Sequence, residues 1–62
     1  MRKQWRILGQ MGDIAIVESG RASVFIGGEE RDGVIVAGAM LSPKQAREYA
    51  IAIQEAADEA EK

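Results

Sequence analysis

The side chains of this 62-residue chain that could act as nucleophiles are Ser19, Ser23, Ser42 and Tyr49. Each needs a base to take its proton, and the chain contains no histidine, the usual general base near neutral pH. It contains no cysteine either, which excludes a disulfide framework and a Cys/His zinc site. Carboxylate chemistry would need two acids held apart in a cleft. The acids at hand, Glu29 with Glu30 and Asp58 with Glu59 and Glu61, read instead as solvated charge in a loop and at a helix end. Asp13, Glu29, Glu30 and Asp32 do not follow the Asp-x-Asp-x-Asp-Gly order of a calcium loop. The glycine motifs are equally unspecific. "GQMG" (9–12) has the G-x-x-G spacing of an RNA-binding KH clamp, but it lies between strands instead of helices. "GGEERDG" (27–33) is too acidic to cradle phosphate and lacks the lysine of a P-loop. "RASVFIGG" offers one aromatic, Phe25, and lacks the βαββαβ setting of an RNA-recognition sheet. The expectation is a protein that is not an enzyme and uses no metal or cofactor.

The elements that carry these residues divide near residue 41. Before it, apolar residues come in short β-branched runs separated by glycine; after it, they come at helical spacing. Four strands are predicted: "QWRIL" (4–8), "DIAIVE" (13–18), "RASVFI" (21–26) and "GVIVA" (33–37). The connections are too short for parallel crossovers, so neighbouring strands run antiparallel. "ESGR" (18–21) reads as a tight hairpin with Gly20 at positive φ, and "GGEERDG" as a charged, solvated tip. In "LSPKQAREYAIAIQEAADEAEK" (41–62), Ser42, Pro43 and Gln45 form a helix start with a capping box. Ala46, Tyr49, Ala50, Ile53, Ala57 and Ala60 follow as a narrow apolar stripe. The predicted fold is α+β: an antiparallel four-stranded β-meander (about 4–40) followed by one C-terminal α-helix (about 43–60) packed on one face, ββββα. Residues 1–62 form a single domain.

The formal net charge is −2. In residues 1–40, five basic and five acidic residues cancel; residues 41–62 carry three basic and five acidic ones, and so the whole excess. That balance argues against a general phosphate-backbone binder. No apolar run is long enough for a membrane span, and no signal-peptide core follows Arg2 and Lys3, so the expected location is the bacterial cytoplasm, away from membranes.

The second and fourth strands are apolar on both sides, whereas a solvated antiparallel face alternates with polar residues. A chain this short is also marginal without help from metal, disulfide or another subunit. A homodimer is expected, with strong curling of the sheet over Trp5, Phe25 and Met40 as the alternative.

The helix also resembles the Leu-Thr-Pro-x-x-Ala-Arg alanine-rich C-terminal helix of small uncharacterised proteins of actinobacteria and their phages. The matching residues are Leu41, Pro43, Ala46, Arg47, Ala50, Ala52, Ala56, Ala57 and Asp58, in a segment that covers about a third of the chain. The resemblance implies a phage or mobile-element accessory protein and transfers no functional residue. Together these readings predict a small non-catalytic binding protein that inhibits a host protein by occupying its surface, of the anti-CRISPR or anti-defence type. The contact surface expected for the protein partner is the outer helix face, Arg47, Glu48, Ile51, Glu55, Asp58 and Glu59, with Glu29, Glu30 and Asp32 of the charged tip. The alternative is a small dimeric nucleic-acid-binding regulator using Arg2, Lys3, Arg6 and Arg21 of the sheet.

Overall fold

Short β-branched segments joined by turns of four or five residues pair with their neighbours in sequence, because longer connections are absent. A computed structural model describes residues 2–30 and 33–62. It contains β1 (Lys3–Leu8), β2 (Ile14–Ser19), β3 (Val24–Glu29), β4 (Ile35–Leu41) and α1 (Pro43–Ala60). The strands form one antiparallel sheet in the order β1-β2-β3-β4. The chain is therefore an α+β, ββββα protein.

The ladder register assigns two faces. On face A lie the rows Lys3–Ser19–Val24–Leu41 and Trp5–Val17–Ile26–Ala39, and the row that begins Ile7–Ala15–Gly28. On face B lie Gln4–Glu18–Phe25–Met40, Arg6–Ile16–Gly27–Gly38 and Leu8–Ile14–Glu29–Ile35. The ladder between β3 and β4 shifts register between Gly27 and Gly28, a bulge that one strand accommodates with an extra residue.

The predicted strands are all present, with moved boundaries. β3 starts three residues later than its β-branched pattern suggests and runs through Gly27, Gly28 and Glu29. Across the ladder from Gly27, Gly38 of β4 lies where face B leaves no room for a side chain: an added Cβ there would stand 2.6 and 2.7 Å from the Phe25 ring. The β2–β3 turn also differs from expectation. Gly20 N–H donates to Ser23 O at 2.9 Å, and Ala22, not Gly20, takes the positive φ of 59°. The β1–β2 turn closes through Gly9 N–H to Asp13 O at 2.7 Å, with Gly12 at φ 93°.

The helix start is as predicted. Gln45 N–H donates to Ser42 Oγ at 3.1 Å, and Ser42 N–H donates to Gln45 Oε1 at 3.0 Å. With Pro43 in the first turn, this satisfies donors that a helix start otherwise leaves open. At the other end, Lys62 Nζ reaches Glu59 at 2.8 Å.

Packing is where the structure departs most from expectation. The single residue Ser42 links β4 to α1, so the helix leaves from an edge strand and meets the sheet chiefly at β4. No residue of α1 is buried; of the stripe, Ala46 is half-buried while Tyr49 and Ile53 are 46% and 53% exposed. Ile16 of β2, at 3%, is the one buried side chain among the described residues.

Candidate interaction surfaces

Each face of the sheet finishes its own apolar surface differently. On face B, Ile16 stands between Arg6 and Gly27 in the ladder. Glu29, diagonal to Arg6, binds it with both oxygens, at 2.8 Å from Nη2 and 3.0 Å from Nη1. This bidentate pair bridges β1 and β3 on the face that carries Ile16. The geometry matches the planar fork of a guanidinium to a carboxylate, the stronger kind of ionic hydrogen bond. Arg6 accordingly holds the Glu29 carboxyl below its ordinary value, mainly through these hydrogen bonds, and Glu29 raises Arg6 in return. In the next row, Glu18 accepts from Gln4 Nε2 at 3.4 Å and faces the Arg2 guanidinium at 3.9 Å. Arg2, Glu18, Arg21, Phe25 and Met40 rim a hollow of about 490 Å³ there.

These pairings correct one expectation. Glu29 is not part of a solvated tip; it is a β3 residue engaged by Arg6, its side chain 17% exposed. The tip shrinks to the turn closed by Gly33 N–H to Glu30 O at 2.9 Å and Glu30 N–H to Val34 O at 3.0 Å. Of the residues expected there, Glu30 is exposed, and Asp32 lies outside the described residues. Of the basic residues proposed for nucleic acid, Arg2 and Arg21 rim the same hollow, Arg6 is paired with Glu29 on face B, and Lys3 lies on face A with its Nζ 5.1 Å from the Trp5 ring centroid.

Face A has no polar lid of this kind at its centre. Between it and α1 runs a cleft of about 630 Å³, lined by Ile7, Val17, Ile26 and Ala39 of the sheet and by Tyr49 and Ile53 of the helix. Ile7 is 62% exposed and Trp5, in the adjoining row, 44%. Exposed apolar surface that is contiguous, unlike a lone exposed leucine, marks a place where another molecule binds.

The outer helix face expected to meet a partner is present as a surface: Arg47, Glu48, Glu55, Asp58 and Glu59 are exposed, and Ile51 is 56% exposed. Ile51 is not singular, however, since Ile53 on the inner stripe is as open. The cleft residues Ile7, Tyr49 and Ile53 were not expected as contact residues. Their only sequence signal is the mixture of two large side chains into an otherwise alanine stripe, which a helix lying flat on a sheet would not favour.

Among the described residues, no group of three or more acidic side chains converges as metal ligands would. Comparison with protein-family models, curated proteins and solved structures finds no match to this chain.

Proposed function

We propose that this chain is a small non-catalytic binding protein whose work is to cover surface on other proteins. One observation carries the reading: a folded sheet and helix that bury a single side chain, Ile16, among the described residues, while Trp5, Ile7, Tyr49, Ile51 and Ile53 stay 44% to 62% exposed. Catalytic sites are built inside packed scaffolds that hold groups to fractions of an ångström; this chain spends its apolar residues on its outside. The resemblance of α1 to the helix of small actinobacterial and phage proteins supports the finer reading, an accessory protein that inhibits a host protein by occupying it. The surface for that partner is the outer helix face around Ile51, with Arg47, Glu48, Glu55, Asp58 and Glu59.

The bidentate pairing of Arg6 with Glu29 takes one of the four basic residues away from the nucleic-acid alternative. Affinity capture from an actinobacterial lysate tests the proposal, using the wild type and an Ile51→Asp, Glu55→Lys variant. The wild type recovers a defined host protein in stoichiometric amount and the variant loses it. Equal recovery by both would remove the outer helix face from the reading, and salt-sensitive recovery of nucleic acid alone would replace the reading with its alternative.

A further inference from the structure

The cleft between α1 and face A needs an occupant, and surface area identifies its size. The chain exposes 5269 Å². A folded monomer of 6.7 kDa exposes about 3,900 Å² by the mass scaling of monomeric proteins. The excess is about 1,400 Å² per chain. Its radius of gyration tells the same story: 12.5 Å, against about 10.6 Å for a compact 62-residue domain. The chain is a slab 17 Å thin and 38 Å long. If two copies each gave up their excess, the interface would bury about 2,700 Å² in total, within the range of obligate homodimers and beyond the roughly 1,600 Å² of a standard complex.

A twofold interface must be complementary to itself, with each patch carrying both the projections and the hollows. This patch does. Ile7, Tyr49 and Ile53 project, while Ala15, Gly28 and Ala39 of face A present small side chains or none. Its composition fits as well, because an obligate interface resembles a core cut in half, and the six lining residues named above are glycine, aliphatic or tyrosine, with no charged side chain among them. Charge sets the orientation. Glu55, Asp58, Glu59 and Glu61 crowd the C-terminal end of α1, so antiparallel helices keep the two acidic ends apart.

We propose that a second copy of this chain closes the cleft between α1 and face A, each copy seating Tyr49 and Ile53 on the Ala15–Gly28–Ala39 surface of the other. The proposal deepens the binding reading above by naming the first protein surface this chain covers as its own, and it leaves the outer helix face for a further partner.

Light scattering and native mass spectrometry of the full chain, from low to high micromolar, supply the first measurement. The expected mass is twice 6.7 kDa. Ile53→Glu shifts the mass to one copy or prevents folding, whereas Met40→Glu on face B leaves the dimer intact. Isotope-filtered NOEs in a mixture of labelled and unlabelled wild type keep the test decisive even if Ile53→Glu fails to fold. They should run from Tyr49 and Ile53 of one copy to the Ala15 and Ala39 methyls of the other. A single-copy mass at high micromolar with cooperative unfolding would overturn the proposal, as would a dimer whose NOEs join Phe25 and Met40 or two β4 edges. The host-binding reading fails separately: a monomer that captures a host protein sinks only the dimer, and a dimer with these NOEs that captures nothing sinks only the host partner.

Discussion

Replacing Ile16 by alanine probes the one place where this chain has a core. Ile16 is 3% exposed and sits on the face that the Arg6–Glu29 bridge spans. The substitution removes three buried carbons, about 2.4 kcal/mol at roughly 0.8 kcal/mol per methylene, before any term for the space left behind. Isoleucine-to-alanine changes in cores cost about 2–5 kcal/mol, more where the surroundings cannot collapse. Here collapse is easy, since Arg6 is 44% exposed and its stem can settle into the gap, which places the loss near 2.5 kcal/mol. A 62-residue fold holds about 3–9 kcal/mol in total. Leu8→Ala is the internal control: it also loses three carbons on face B, but Leu8 is 74% exposed, so about 0.6 kcal/mol is expected. Urea unfolding of both variants at one protein concentration, followed by the fluorescence of Trp5 and by helical circular dichroism, gives the comparison. The reasoning is refuted if, at unchanged m-value, the two variants differ by less than about 0.5 kcal/mol.

Three further outcomes follow from local geometry. Gly38→Ala places a methyl 2.6 and 2.7 Å from Phe25 ring atoms and 2.9 Å from Ile26 O, so it lowers stability by about 1–3 kcal/mol. Adding Phe25→Leu recovers only part of that in thermal melts, because the carbonyl contact stays. Ala22→Gly relieves an L-residue at φ 59° and raises stability by about 0.5–1 kcal/mol, the strain released less the added chain entropy, measured by urea midpoint. The Arg6–Glu29 bridge makes stability depend on acid. The folded carboxyl sits below its ordinary value, so the unfolded chain takes up that proton more readily. The contribution is complete above the unfolded glutamate value of about 4.3 and is lost as pH falls through the folded value. Glu29→Gln flattens that part of the melting-temperature profile, and an unchanged acid limb would show that the bridge is not its source.

The helix was legible in the sequence down to its cap atoms, because Ser42, Pro43 and Gln45 act on backbone groups within one turn and need no tertiary information. The four strands were legible as periodicity and their order as connection length. What failed was local to glycine. Gly27 and Gly28 read as punctuation, yet both are β3 residues, and the glycine whose bare backbone serves a long-range need is Gly38, which leaves room for the Phe25 ring. Gly20 read as the positive-φ residue because no pattern distinguishes it from Ala22 within the same turn. Of the surfaces, the exposure of the outer helix face was legible, since its polar and charged residues fall opposite the apolar stripe. The cleft itself was not, because it depends on how far α1 stands from the sheet, and that is set by leaving from an edge strand through one residue, Ser42. Ile51 stands out from the helix only if Tyr49 and Ile53 are taken as covered, and they are about as exposed.

The strand order β1-β2-β3-β4 also determines how the chain reaches its fold. No ladder partner lies further from its mate than Leu41 from Val24, 17 positions apart. Sheet proteins fold slowly when their pairings close long loops, and this one closes none. Each hairpin can form by itself and offer its edge to the next, and the helix nucleates on its own cap. For the dimer proposed above, the slow event is then the meeting of two finished chains, a second-order process. Under that proposal dilution leaves the early refolding phase untouched and stretches the later one in proportion, so that the concentration at which the chain is made would set how quickly the pair assembles.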